Sequence, residues 1–201
     1  KMEPIRPNDK AILRDLAKRQ AEAAHSPNMR ELKKEWMRHN TFQPGRPMIT
    51  VELGTFAQDI LPPMLQCQGE QARKMEWSLR SNLVNYELFR DDTVVRDHIP
   101  IGWNTWFQPF GLPVKIQHVK GMDNSLGHHF VPAIEDFEKD FHKLGRSRFG
   151  ADREAADRQM AQWEELCGDI LPVKRAGVCL IASLTQDLVH LMSMETMFTA
   201  M

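Results

Sequence analysis

A small set of side chains in this sequence has the chemistry to bind a polar or planar ligand and falls where apolar runs end. Glu52 closes the run MITVEL, residues 48–53. A carboxylate there can orient a ligand or a protonated partner, or serve only as a structural anion beside a basic side chain. Trp103 and Asn104 end a second extended run, TVVRDHIPIGW, residues 93–103. An indole can cover one face of a ring while a carboxamide hydrogen-bonds its rim, although tryptophan serves equally well in a core or a lid. His118, His128 and His129 fall in an irregular stretch punctuated by Trp106, Pro109, Gly111, Pro113, Gly121 and Gly127. Neighbouring histidines point differently in an extended chain, and no cysteine or carboxylate stands at ligand spacing beside them. Their imidazoles suit a polar role at the mouth of a cavity, or are plain surface groups. Thr185 and Gln186 stand where a helix begins after AGVCLIAS, residues 176–183. Helix N-terminal amides and a hydroxyl can meet an anion or an amide; the simpler role is a cap from Ser183 or Thr185. Glu52, Trp103, Asn104, His128, His129, Thr185 and Gln186 are the substrate-binding candidates. No catalytic residue and no metal ligand set can be named in this segment.

The elements that must position them alternate between helix and strand. Asn8 can cap a helix with Ile12, Leu13, Leu16 and Ala17 on one face. After Pro27, Met29, Leu32 and Trp36 mark a second helix, stopped by Pro44-Gly45-Arg46-Pro47. MITVEL, short and β-rich, is expected to be the first strand. From Gly69 to Phe89, Ala72, Met75, Leu79, Leu83 and Tyr86 form one helical stripe, and 93–103 is expected to be extended. Within 104–133, PVKIQHV suits an edge strand or hairpin arm. Ile134, Phe137, Phe141 and Leu144 describe a short helix, and Ala156, Met160, Trp163 and Cys167 a longer one. AGVCLIAS is apolar on both faces, as a covered strand must be. The last segment repeats Leu184, Leu188, Leu191, Glu195 and Phe198 at helical spacing, with His190 as a packing residue. No repeat or linker divides the chain, so one α/β domain with parallel strands is expected.

Composition excludes several function classes. Lys and Arg number 26 against 27 acids, a formal net charge of −1, which gives no footprint for nucleic acid or an anionic membrane. No apolar run nears the roughly 20 residues of a membrane span, and KMEPIRPNDK is no secretion signal. Cys67, Cys167 and Cys179 are too far apart for a zinc knuckle or a redox pair. A reducing, cytoplasmic setting without disulfides is expected. The 12 methionines fall mostly on helix faces and read as adaptable core.

The stretch GDILPVKRAGVCLIASLTQDLVHLMSMETMFTAM, residues 168–201, resembles the middle of uroporphyrinogen decarboxylase-family proteins, where a strand ending in small residues feeds a helix of the form D-L-x-x-L-M-x-M-E-x-M. PAIEDFEKD, residues 132–140, resembles the family's proline followed by an acidic-aromatic helix, and RPMITVEL its first strand. The resemblance implies a (β/α)8 barrel of the TIM type with its site at the C-terminal ends of the strands. Three strands, a fourth candidate and a chain that stops in mid-helix at Met201 then suggest the N-terminal half of such a barrel, with 1–45 as a helical extension. That half alone is expected to be inactive and to self-associate.

Two chemistries come with the family. Decarboxylases remove acetate carboxyls from a tetrapyrrole without a cofactor; their relatives move methyl groups between a corrinoid and a thiol or similar acceptor, with zinc holding the thiolate. The decarboxylase's Arg-Gln-Ala-Gly-Arg-Tyr motif, whose guanidinium groups suit a polycarboxylate, is missing here, and GTFAQDILPP follows the first run instead. The resemblance therefore favours a corrinoid-linked methyltransferase acting on a small molecule or a corrinoid protein. Decarboxylation and a non-catalytic corrinoid- or tetrapyrrole-binding subunit are the alternatives, and a homo-oligomer is compatible with each. The family's zinc ligands lie towards the C-terminal half, so this segment is expected to carry no cofactor of its own.

Overall fold

A computed structural model of the chain describes residues 4–54, 56–118, 128–177 and 183–200. In chain order these form α1 (Pro7–Ala24), α2 (Pro27–Asn40), α3 (Ala57–Ile60), α4 (Glu70–Val84), β1 (Ile99–Ile101), β2 (Thr105–Gln108), β3 (Lys115–His118), β4 (His128–Val131), α5 (Phe137–Asp140), β5 (Arg148–Ala151), α6 (Arg153–Cys167), β6 (Val173–Arg175) and α7 (Leu184–Ala200). The class is mixed α/β. Most of the expected strand AGVCLIAS, including Cys179, lies outside the described residues, as do Gly121 and Gly127. The described residues gather into two compact units: Lys1–Ile101 with Asp157–Arg175, and Gly102–Ala156 with Ala176–Met201.

The first unit is built on helix faces that the 3.6-residue period dictates. Leu13, Leu16 and Ala17 of α1, Met29 and Leu32 of α2, Ala72, Met75, Leu79 and Leu83 of α4, and Trp163, Leu166 and Cys167 of α6 share one buried core. Each fully buried leucine among them contributes about 1.5–3 kcal/mol by leaving water. The start of α1 differs from expectation. Pro7 takes the first helical turn and Arg6, extended at ψ 149°, precedes it with no side-chain cap. A proline has no N–H to satisfy and its φ is already helical, so Asn8 sits inside the helix. Ser26 does cap α2, accepting from the Met29 N–H at 3.2 Å.

Two buried carboxylates hold the chain between α3 and α4. Glu76 accepts from the Gln66 and Cys67 amides, and Asp9 from the Gln68 and Gly69 amides, each at 2.8–3.0 Å. Four consecutive N–H groups are thus satisfied without any strand or helix. The expected strand at 48–53 is replaced in the same way. Its backbone is irregular, and the Ile49 and Val51 amides donate to Asp92 and Asp91 at 2.8 and 2.6 Å. The Val51 carbonyl accepts from Asn85 at 2.8 Å. Asn85, which caps α4, and Asp91 and Asp92, which follow it in the chain, supply what a neighbouring strand would otherwise supply.

Strand pairing also departs from the all-parallel expectation. Among the described residues only β1 and β6 pair in parallel, Ile99 opposite Val173 and Ile101 opposite Arg175. The extended run predicted over 93–103 is therefore a strand only at 99–101. In the second unit β2 pairs with β5 and β3 with β4, both antiparallel. Among the described residues the strands pair two by two, and no larger sheet or closed barrel forms.

The second unit has a small core of Ile134, Leu191 and Met192, flanked by Leu112 and Leu144. It forms around a break in α7, where Ser193 takes φ 63° and ψ 166°. The break frees the Leu191 carbonyl from the helical ladder, and the amides of Ala133 and Ile134 bond it at 2.7 and 3.1 Å. Beyond the break Ser193 acts as a new cap, its Oγ accepting from the Thr196 amide at 3.3 Å.

Candidate functional site

Of the seven candidate residues, only Glu52 belongs to the first unit; Trp103, Asn104, His128, His129, Thr185 and Gln186 all fall in the second. Glu52 is exposed in the irregular segment that Asp91 and Asp92 hold from one side. It closes no strand, because none forms there.

Trp103 and Asn104 are set by the start of α6. Asn104 lies in the left-handed region at φ 49°, a conformation asparagine tolerates better than most side chains. Its carbonyl accepts from the Asp152 amide at 3.1 Å. Asp152 in turn caps α6, its carboxylate accepting from the Ala155 amide at 3.0 Å. The same helix turn carries Arg153, whose guanidinium carbon lies 5.9 Å from the centre of the Trp103 ring. That distance is within reach of a cation–π attraction. Trp103 stays 37% exposed, so the pair presents a flat indole and a fixed positive charge together at the surface. Trp103 and Asn104 lie between β1, which ends at Ile101, and β2, which begins at Thr105; the sequence gave no sign of Arg153, which is 50 residues from Trp103.

The histidines are distributed by the β3–β4 pairing. His128 and His129 face opposite sides of β4, as alternation requires. His118 is the register partner of His128, and their ring centres are 6.3 Å apart. On the same side His128 meets Phe130 edge-on at 5.1 Å, and Phe130 meets His190 of α7 at 4.6 Å. Gln186 closes this row, its amide nitrogen 2.9 Å from His190 Nε2. His129 stands apart, 3.9 Å from the Glu195 carboxylate. Glu195 is held below its ordinary range by its own backbone N–H and by the Ser193 hydroxyl, with His129 adding a further attraction. The structure thus joins His128, Gln186 and His190 in one row through Phe130. Thr185 is exposed one residue away, and the amide of Asp187 bonds the Ser183 carbonyl at 2.9 Å, which places Ser183 at the cap. His190 was expected to be a packing residue of this helix; it lies in α7 and packs on the Phe130 ring of β4.

Among the described residues no three or more histidine, cysteine or carboxylate side chains converge on one point. Cys67 and Cys167 are both buried, and burial pushes each thiol up to about 12. At Cys67 the neighbouring Glu76 carboxylate adds to the shift. Neither is poised as a thiolate nucleophile or ligand. No described helix is long and apolar enough to cross a membrane.

Comparison of the chain with protein-family models, with curated proteins and with solved structures finds no match.

Proposed function

We propose that this chain belongs to a uroporphyrinogen decarboxylase-like protein that serves a corrinoid-linked methyl transfer, on a (β/α)8 barrel to which β1 and β6 contribute neighbouring strands. The observation that supports this reading is the parallel pairing of β1 with β6. The stretch resembling the family begins at Gly168 and runs directly through β6, Val173–Arg175. It lies beside a strand whose Ile99 and Ile101 are buried, as adjacent strands of such a barrel do. Trp103 and Asn104 follow β1 at its C-terminal end, the end from which barrel sites are built.

On this reading the Trp103 indole with Arg153 would bind a planar, carboxylate- or amide-edged macrocycle by stacking and by charge, and Asn104 would hydrogen-bond its rim. The corrinoid supplies the transferable methyl group. The zinc that activates the acceptor thiol in the family does not fit the described residues, since Cys67 and Cys167 are buried as thiols. A second reading, binding without turnover, is favoured by the same pair, because an indole and a guanidinium hold a ring without doing chemistry on it.

Methylcobalamin titrated into the purified protein is the direct test. The expected result is quenching of tryptophan emission with a change in the corrinoid's visible spectrum, weakened several-fold by Trp103→Ala. Unchanged spectra at saturating corrinoid would remove both readings. Binding without formation of a methylated thiol by the intact gene product would leave only the second.

A further inference from the structure

We propose that His118 and His128 form a two-imidazole site for a borderline transition-metal ion such as Ni²⁺ or Cu²⁺, with water completing the coordination. Neither residue is near the other in sequence; the antiparallel register of β3 and β4 makes them direct partners. Both lie on the same side of the hairpin, as cross-strand partners must, and both are exposed. Their rings are tilted by 51° with centres 6.3 Å apart.

The distance is what the proposal rests on. A metal–nitrogen bond of about 2.0–2.1 Å, with the ring centre roughly 1 Å beyond the nitrogen, puts two ligand rings about 5 Å apart at a tetrahedral angle and about 6 Å apart when they are opposed. The observed 6.3 Å lies a few tenths of an ångström beyond this range. Both side chains are at the surface, so a small rotation of either closes the difference without disturbing a core. The backbone ladder fixes the two Cα positions in advance, which removes most of the ordering cost of chelation. Imidazole suits nickel, copper and zinc, and affinity rises along the series to copper.

The surroundings support the pair as a unit. Phe130 packs edge-on against His128 and limits how that ring can turn. His129 points to the other face and lies by Glu195, so it is not a competing ligand. His190 is engaged with Gln186 and Phe130. An ion on His118 and His128 would tie the end of β3 to the beginning of β4. This site does not rest on the function proposed above, because it uses neither Trp103 nor any family ligand.

Isothermal titration of NiCl₂ into the 201-residue chain, prepared without a polyhistidine tag, tests it. The expected result is one ion per chain, with affinity reduced about tenfold or more by His118→Asn and equally by His128→Asn. His129→Asn should leave it unchanged within about twofold. Amide exchange of Lys115–His118 and His128–Val131 should slow on adding nickel in the wild type and not in His118→Asn. Wild-type affinity in either single variant, an equal loss in His129→Asn, or no binding by the wild type at millimolar nickel would each overturn the assignment. All three substitutions are at exposed positions, so folding is preserved and the binding result stands on its own.

Discussion

Glu76 lies fully buried one helical turn from Arg80, its carboxylate 2.8 Å from the guanidinium Nε, and the remaining lone pairs accept from the Gln66 and Cys67 amides. A buried ion pair contributes little by itself, but removing one partner leaves an uncompensated charge. The pair therefore matters through what it organises, which is the chain entering α4.

Glu76→Ala should destabilise the first unit by about 3–5 kcal/mol, because Arg80 is left buried and two amides lose their acceptor. Denaturant unfolding followed by circular dichroism measures it. A change within about 0.5 kcal/mol would show that this carboxylate does not organise the segment.

Acid should remove the same contribution. Burial alone would raise the Glu76 pKa, yet the Cys67 amide, Arg80 and the Gln66 amide outweigh it and leave the value lowered. A lowered folded pKa gives stability that is complete above the unfolded carboxyl value of about 4.3 and is lost as pH falls through the folded value. The stability gap between wild type and Glu76→Gln should thus be widest near neutrality and should shrink below about pH 4. Parallel denaturation curves at both pH values check the sign.

Gly150→Ala should disturb β2 and β5. A Cβ at position 150 would lie 2.8 Å from Cζ2 of Trp106, whose indole lies across the glycine. The ring must move, at about 1–3 kcal/mol, and tryptophan emission should shift to the red. An unshifted spectrum with unchanged stability would place the indole elsewhere.

Ser193→Ala should cost about 1 kcal/mol by removing the cap on the second half of α7. Ser193→Gly should cost less or nothing, since glycine adopts φ 63° without strain and offsets the lost cap. Equal effects of the two substitutions would argue that neither the cap nor the strained backbone is felt.

The second unit should self-associate. Phe149 is 80% exposed beside Phe107, its register partner at 54%, and Leu184 and Phe198 of α7 are 77% and 63% exposed. Apolar patches of this kind drive association, and a two-stranded ribbon is marginal alone. Light scattering should show mass rising with concentration and falling in a Phe149→Ser, Leu184→Ser variant. A monodisperse monomer at high concentration would contradict this.

The helices were legible in the sequence because their signal is local. Leu13, Leu16 and Ala17, or Met75, Leu79 and Leu83, share a face through a period that any window of the chain displays. The pairing of His118 with His128 was not legible, since the register of β3 against β4 sets it. Likewise MITVEL has strand composition, yet Asp91 and Asp92 capture its amides. Carboxylates 40 residues or more away compete with a strand on equal terms, and no propensity measures that competition.

By itself the sequence determined the α/β class and the buried helix faces, both products of steric period and side-chain polarity over a few residues. Tertiary structure alone decided that β1 meets β6 in parallel, that β3 and β4 bring two imidazole centres to 6.3 Å, and that Arg153 lies over Trp103. Those relationships depend on which distant backbone groups satisfy one another, and hydrogen bonds of that kind leave no periodic trace in the order of the residues.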